Sequence, residues 1–240
     1  MGARKLNPLI VALDVATGDQ ALDLVKRINA PDMFVKVGMQ LFYAEGPELV
    51  QKLRERGINV FVDLKLHDIP NTVKGAAQSL AKLGVSMLTV HCAGGRAMLE
   101  AVQEGVEAGS SAAERPLIVG VTQLTSTSEQ ILNEEIGIPG TVEKAVLHYA
   151  ILAQSSGMDG VVCAAKEVPL IKSTCGTSFI TVTPGIRPFG CDNHDQARVA
   201  TPRDALRIGS DFLVVGRAII QAEDPVAAYH NIIKEMNEVN

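Results

Sequence analysis

The sequence predicts a single-domain (β/α)8 barrel, or TIM barrel, that spans residues 1–240. Eight short apolar runs alternate with longer segments of helical periodicity. The runs are apolar on both faces, which is typical of parallel strands covered by helices. The length of 240 residues is close to the about 250 residues that such a barrel needs. An open doubly wound sheet is the alternative, because periodicity alone does not show that a sheet closes.

The predicted strands follow the apolar and β-branched runs. They lie at Leu9–Val15, Met33–Gly38, Asn59–Lys65, Met87–Cys92, Pro116–Leu124, Gly160–Ala165, Phe179–Gly185 and Asp211–Gly216. The predicted helices lie at Asp19–Asn29, Glu48–Arg56, Asn71–Leu83, Arg96–Glu107, Thr141–Ser156 and Pro225–Met236. In the second of these helices, Leu49, Val50 and Leu53 share one face. The long polar segment Gly185–Arg203 is interpreted as a loop that becomes ordered when ligand binds.

The composition argues against several classes of protein. A net charge of −5 is unlike the basic surface of a nucleic-acid-binding domain, so no nucleic-acid partner is expected. No apolar run approaches the about 18 residues of a membrane span, and the N-terminus lacks the apolar core of a signal peptide. We therefore expect a cytoplasmic protein with no membrane partner. The four cysteines form no CxxC pair, which indicates neither a zinc site nor a disulfide framework.

Four charged residues interrupt the first three predicted strands. They are Asp14, Lys36, Asp63 and Lys65. Because side chains alternate along a strand, Asp63 and Lys65 share one face, about 7 Å apart. In a barrel this face points to the interior near the carboxyl-terminal rim, where enzymes of this fold have their active sites. Opposite charges would keep one another ionised, and buried ion pairs seldom add net stability, so we favour an active-site array over a structural ion-pair network.

Two interpretations of Asp68 stay open from spacing alone. Asp68 follows Lys65 by three residues and precedes Pro70. Its side chain either caps the next helix, with Pro70 in the first turn, or takes part in the chemistry of the site. His91, at the end of the fourth strand, is interpreted as a core or supporting residue.

A phosphate site is predicted at the end of the eighth strand. Gly216 would expose backbone N–H groups, and the helical turn that follows it would direct its dipole at an anion. Arg217 adds a forked donor suited to phosphate oxygens. A tight turn with a surface arginine is the alternative, but barrels of this kind often bind phosphate after strands seven and eight. Arg187 and Gln196, on the loop after the seventh strand, could close over the same phosphate.

The segment Asp63–Thr72, which reads Asp-Leu-Lys-Leu-His-Asp-Ile-Pro-Asn-Thr, resembles the signature of the orotidine 5'-monophosphate decarboxylase family. Its Asp-x-Lys-x-x-Asp core is shared with sugar-phosphate decarboxylases and synthases. The Ile-Pro-Asn-Thr residues that follow the core, and the later Pro-Gly-Ile-Arg-Pro segment, distinguish the nucleotide enzymes from those sugar-phosphate enzymes. Further matches follow in family order over nearly the whole chain, at Leu13-Asp14, Val35–Gly38, Leu124–Ser126, Thr183–Pro188, Asp195-Gln196 and Val215–Arg217.

The resemblance implies decarboxylation of orotidine 5'-monophosphate to UMP and CO2, the last step of UMP synthesis, with no metal or cofactor. It implies that Lys65 protonates C6 of the pyrimidine, and that Asp63 and Asp68 crowd the substrate carboxylate and hold Lys65. Lys36 completes the charged array. The resemblance further implies a homodimer in which Asp68 and Thr72 enter the site of the partner subunit.

The resemblance also implies a set of substrate contacts. Asp14 and Lys36 would hold the ribose hydroxyls, and Thr125 with Ser126 would contact the pyrimidine. The phosphate would be bound by Arg187, Gln196, Gly216 and Arg217. Two alternatives stay open. One is a sugar-phosphate decarboxylase that needs Mg2+. The other is a nucleotide-binding barrel without activity, which the intact Lys65 and Asp68 disfavour.

Overall fold

Eight parallel strands close into a barrel in which each strand pairs with the next and the last pairs with the first. The computed structural model describes residues 6–188 and 200–238. Closure confirms the predicted barrel and excludes the open sheet. The strands are β1 (Leu9–Ala12), β2 (Phe34–Gly38), β3 (Asn59–Leu66), β4 (Met87–His91), β5 (Leu117–Val121), β6 (Gly160–Val162), β7 (Ile180–Thr183) and β8 (Phe212–Val215).

Helices cover the outside of the barrel. Those in the described residues are α1 (Gly18–Ile28), α2 (Met39–Glu55), α3 (Pro70–Lys82), α4 (Gly95–Gly109), α5 (Val142–Ser155), α6 (Val168–Cys175), α7 (Pro202–Arg207), α8 (Arg217–Ile220) and α9 (Pro225–Asn237). Five of the predicted helices are confirmed closely, whereas the short α6, α7 and α8 were not predicted. Among the described residues, no helix has the length and apolar character needed to cross a membrane.

Several predicted boundaries are wrong. The strands predicted to end at Leu124 and Ala165 end at Val121 and Val162, and the loops that follow begin at Thr122 and Cys163. The helix predicted at Glu48–Arg56 is only the second part of α2. A backbone kink with φ +67° at Gly46, followed by Pro47, divides that helix into two segments. The polar loop predicted to reach Arg203 ends earlier, since α7 begins at Pro202.

An apolar layer fills the barrel interior below the carboxyl-terminal rim. The rings of Phe34 and Phe212 meet edge to face, with centroids 6.0 Å apart. The other buried members of this layer are Ile10, Ala12, Phe61, Met87, Val119, Val182 and Val214. A second and larger core lies between the strands and the helices. Since the layer blocks the interior, a ligand can reach the inside only from the rim.

Close packing of α3 against α4 depends on a glycine. A Cβ added at Gly105 would lie 2.2 Å from the carbonyl oxygen of Lys74, whereas one added at Gly75 would meet nothing within 4 Å. We expect Gly105→Ala to lower the free energy of unfolding by about 1–3 kcal/mol, because the helices must move apart. The control Gly75→Ala should raise it by up to about 1 kcal/mol through helix propensity. Urea denaturation would measure both, and equal stability of the two variants would contradict this account of the packing.

Candidate active site

A cavity of about 500 Å³ opens at the carboxyl ends of the strands. The apolar layer of the barrel forms its floor, through residues such as Phe61 and Val182. Its volume lies in the range of about 300–1,000 Å³ that is typical of small-molecule sites. Eight of the predicted site residues line it, namely Asp14, Lys36, Asp63, Lys65, Thr125, Arg187, Gly216 and Arg217. The fold therefore brings the two predicted clusters, the charged array and the phosphate site, into one cavity.

The four charged residues of the first three strands form a row of alternating sign. The Nζ atom of Lys36 lies 3.2 Å from Oδ1 of Asp14 and 3.8 Å from Oδ2 of Asp63. The Nζ atom of Lys65 lies 2.9 Å from Oδ1 of Asp63. The Asp14 side chain is 53% exposed, whereas those of Lys36 and Asp63 are 12% and 16% exposed. Each lysine thus has a carboxylate partner, and the row faces the cavity.

The backbone of β3 is irregular where it presents this row. Val62 pairs with Leu88, but the next registered pair is Leu66 with Val90, so β3 bulges between them. Within the bulge Lys65 has φ +52°, in the left-handed region. Asp63 and Lys65 face one cavity, as predicted. The regular strand geometry from which this was predicted is wrong, because β3 bulges between Val62 and Leu66. A left-handed non-glycine residue costs about 1–3 kcal/mol, and such strain concentrates at functional sites.

Sequence reasoning missed a buried hydroxyl behind the row. Thr89 on β4 is 1% exposed. Its Oγ1 accepts a hydrogen bond from the backbone N–H of Lys65 at 2.8 Å and donates one to Oδ1 of Asp63 at 3.0 Å. Gln123 and Gln221 also line the cavity and were not predicted. A threonine within an apolar strand is an ordinary strand residue, so the sequence contained no signal for Thr89.

Other predicted residues lie outside the cavity lining. Asp68 and Thr72 are exposed, and so is Ser126 on the loop after β5. Oδ1 of Asp68 accepts from the N–H of Ile69 at 2.6 Å. The N-cap of α3 is Ile69, and it makes no side-chain capping bond, so the capping interpretation of Asp68 is wrong. Gln196 and most of the predicted ligand-ordered loop lie outside the described residues.

Ion pairs at the opposite end of the barrel have a different environment. Asp159 accepts from the N–H of Ile118 at 2.7 Å and pairs with Arg115 at 2.9 Å. Asp211 likewise accepts from a backbone N–H at 2.7 Å and pairs with Lys172 at 2.6 Å. Each of these carboxylates binds a backbone N–H of a neighbouring strand and a basic side chain, so its role is structural. The row at the rim instead faces a cavity, which favours a functional role.

The eighth and first strands meet beside the row. Val215 pairs with Val11, so Gly216 follows beside Ala12, two residues before Asp14. A Cβ added at Gly216 would lie 3.2 Å from Oδ2 of Asp14 and 3.4 Å from the Cβ of Ala12. A larger residue would displace the carboxylate. This seam between β8 and β1 therefore places the predicted ribose and phosphate residues side by side.

Among the residues that the structure describes, the thiol in the cavity lining is that of Cys163, and it is not activated as a nucleophile. Burial raises the pKa of this thiol well above its ordinary range. The group stays protonated at neutral pH, and the thiol form is a poor nucleophile. Within residues 6–188 and 200–238, no three or more histidine, cysteine, aspartate or glutamate side chains are grouped so that they could hold a metal ion.

A pair of stacked histidines lies near Lys65. The rings of His91 and His67 are 5.1 Å apart, and Nδ1 of His91 accepts from the N–H of Ala93 at 3.2 Å. Burial, and then the charges of His67 and Lys65, lower the pKa of His91 below its ordinary 6.5. The unfolded chain therefore binds this proton more readily. The contribution of neutral His91 to the free energy of unfolding is fully present above pH 6.5. This contribution is lost as the pH falls from 6.5 toward the lower pKa of the folded state.

We expect His91→Asn to lose less stability than the wild type between pH 7 and pH 5, since asparagine retains an acceptor and does not titrate. Thermal unfolding at a series of pH values measures this difference. The variant His148→Asn, at an exposed position, is the control and should follow the wild-type curve. Parallel curves for His91→Asn and the wild type would refute the assignment.

A closed (β/α)8 barrel with an alternating lysine–aspartate row in a rim cavity has the architecture of a barrel enzyme. Residues 7–232 match the family described as "Orotidine 5'-phosphate decarboxylase / HUMPS family". The chain belongs to this family.

Similar proteins extend over nearly the whole chain. Orotidine 5'-phosphate decarboxylase of Geobacillus sp. (strain WCH70) is 53% identical over 230 residues, which cover 95% of this chain and 96% of the relative. The protein of the same name from Bacillus cereus (strain AH820) is 51% identical over 232 residues, 96% of this chain and 98% of the relative. A crystal structure of orotidine 5'-phosphate decarboxylase from Lactobacillus acidophilus has a TM-score of 0.87 at 43% identity and covers 96% of this chain and 99% of that one.

Proposed function

We propose that this protein decarboxylates orotidine 5'-monophosphate to UMP and CO2, the last step of UMP synthesis. The proposal rests on one observation above all, the alternating row of Asp14, Lys36, Asp63 and Lys65 that faces the cavity. The names of relatives at 51–53% identity support the choice of substrate. The enzyme is a carbon–carbon lyase that works without metal or cofactor, in the cytoplasm.

The chemistry requires stabilisation of a carbanion. The bond between C6 and the carboxylate breaks, CO2 leaves, and the electron pair stays on C6, where no adjacent group accepts it. The Lys65 ammonium stabilises this charge and then donates its Nζ proton to C6, after which Nζ regains a proton from water. The carboxylate of Asp63, 2.9 Å from that Nζ, orients the lysine and repels the substrate carboxylate. Charges fixed before the reaction need no reorganisation during it.

Binding energy from the rest of the nucleotide supports this step. Arg187, which is 6% exposed, and Arg217 bind the phosphate together with Gly216 and with Gln196 from the adjacent loop. Contacts remote from the reacting atom can hold the substrate carboxylate against Asp63, so they contribute to the rate as well as to affinity.

We assign the remaining substrate contacts from the side chains that line the cavity. Asp14 and Lys36, which are paired at 3.2 Å, hold the ribose hydroxyls. Thr125 lines the cavity on the loop after β5 and contacts the pyrimidine, with Ser126 beside it.

The active site is completed by a second copy of the chain. Asp68 and Thr72 are exposed and lie outside the cavity of their own chain, and the Ile69 side chain next to Asp68 is 67% exposed. Both candidate side chains are therefore accessible to a partner subunit. In the proposed homodimer, the partner's Asp68 and the partner's Thr72 enter the cavity beside Lys65.

One assay tests the proposed reaction against its alternatives. Purified protein is mixed with orotidine 5'-monophosphate, and the absorbance of the pyrimidine is followed. We expect conversion to UMP at the same rate with and without chelator. Activity toward a sugar phosphate that is lost in chelator would favour the sugar-phosphate decarboxylase. Binding of UMP without any turnover would favour a nucleotide-binding barrel that is not an enzyme.

A further inference from the structure

The hydroxyl of Thr89 is placed where it acts on both members of the Asp63–Lys65 pair. It is a buried group with one proton, and it accepts from the N–H of Lys65 at 2.8 Å. Its own proton is directed to Oδ1 of Asp63 at 3.0 Å, and the same oxygen accepts from Nζ of Lys65 at 2.9 Å. One side chain thus connects the backbone of the lysine to the carboxylate that holds its ammonium group.

The bulge in β3 explains why a side chain is needed at this point. Asn59 donates its N–H toward β2 and Val60 accepts from the β4 side, so the alternation of a regular strand would direct the N–H of Lys65 toward β2, which ends at Gly38. The register shift between Val62 and Leu66 turns this N–H to the β4 side instead, where Thr89 lies. A buried N–H without a partner costs about 1–3 kcal/mol. The Thr89 hydroxyl supplies the missing acceptor and so stabilises the left-handed backbone of Lys65, where φ is +52°.

We propose that Thr89 is a positioning residue for the reaction. It fixes the backbone from which Lys65 extends, and it fixes the rotation of the Asp63 carboxylate to which the ammonium group is paired. Thr89 does not itself line the cavity, so its effect on the reaction passes through these two residues. The kinetic part of this inference rests on the proposed decarboxylation, whereas the effect on the Lys65 backbone does not.

The test compares two substitutions at this position. Thr89→Val keeps the shape of the side chain and removes the hydroxyl, while Thr89→Ser keeps the hydroxyl. We expect Thr89→Val to lower kcat by about 10–100-fold, because a small displacement of the reacting group has this effect. The Kd for UMP should stay within about twofold, since the phosphate and ribose contacts are intact. Thr89→Ser should keep kcat within about threefold of the wild type.

Hydrogen exchange of the Lys65 amide, followed by NMR without substrate, gives a readout independent of activity. Exchange should be faster by at least about tenfold in Thr89→Val and close to the wild type in Thr89→Ser. The matched control is Thr181→Val, which removes another buried threonine hydroxyl, one that donates to Asp211 at 3.0 Å near the opposite end of the barrel. This control should lower the melting temperature and leave kcat unchanged.

The outcomes separate the inference from the proposed function. Wild-type kcat in Thr89→Val, or unchanged exchange at Lys65, would overturn the role of Thr89. Wild-type protein without decarboxylase activity would overturn the proposed function, and the exchange measurement would still decide whether Thr89 holds Lys65. If Thr89→Val does not fold, Thr89→Ala replaces it, since alanine also lacks the hydroxyl and adds no bulk. The same decrease in kcat and the same faster exchange of the Lys65 amide are expected for Thr89→Ala.

Discussion

Replacement of Lys65 by alanine is expected to abolish decarboxylation while UMP still binds. The variant loses the group proposed to donate the proton and the positive charge proposed to lie beside C6. Proton transfer by a positioned side chain contributes about 10²–10⁴-fold, and a preorganised electrostatic contact about 10²–10³-fold. We therefore expect kcat to fall by about 10⁴-fold or more. Arg187, Gly216 and Arg217, which are proposed to bind the phosphate, lie elsewhere in the cavity, so the affinity for UMP should be largely retained.

Turnover assays and calorimetric titration with UMP measure the two quantities separately. Lys74→Ala is the matched control, because it also removes a lysine from an ion pair, one with Glu104 on the outside of the barrel. Its turnover should equal that of the wild type. If Lys65→Ala retained more than a small fraction of wild-type turnover, the assignment of the proton donor would be wrong.

Mixing two inactive variants is expected to restore activity if Asp68 acts across a dimer interface. Lys65→Ala and Asp68→Ala should each be nearly inactive as homodimers. In a mixed dimer, one site combines both defects, and the other combines an intact Lys65 with the partner's intact Asp68. With random exchange of subunits, about half of all dimers are mixed. Each of these has one complete site, so activity should return to about one quarter of the wild-type value.

The exchange of subunits must be verified, for example by mass spectrometry of differently tagged chains. The control is a mixture of Lys65→Ala with Asp63→Ala. Asp63 pairs with Lys65 in its own chain at 2.9 Å, so every site in that mixture still lacks one of the two groups. Recovery in the first mixture and none in the second is the expected pattern. Verified exchange without recovery in the first mixture would place Asp68 in the site of its own chain.

The sequence was sufficient to predict the barrel and most of the cavity. Eight apolar runs determine the number of strands, and Lys36 and Asp63 stand out because charge is rare in a parallel strand. Helix boundaries were predictable where a single amphipathic segment exists, as in α9. They were not predictable in α2, because Gly46-Pro47 is a signal for the end of a helix and the structure contains a helical segment on each side of it.

The details that shape the site depend on contacts between strands. The left-handed conformation of Lys65 has no sequence signal, since glycine and asparagine are the residues that usually adopt it. Thr89 acquires its role only because β4 lies beside the bulge in β3. The capping interpretation of Asp68 was reasonable from spacing, but α3 begins after Ile69 and is not capped by a side chain.

The seam between β8 and β1 has a consequence for synthesis of the protein. Asp14 leaves the ribosome about 200 residues before Arg217, and the two are brought together only when the last strand docks on the first. Joining chain segments this far apart costs about 5 kcal/mol of loop entropy. Until β8 docks, β1 and β7 each have an unpaired edge, which is a template for aggregation. A nascent chain therefore closes the cavity between its own strands and loses its exposed edges in the same late step.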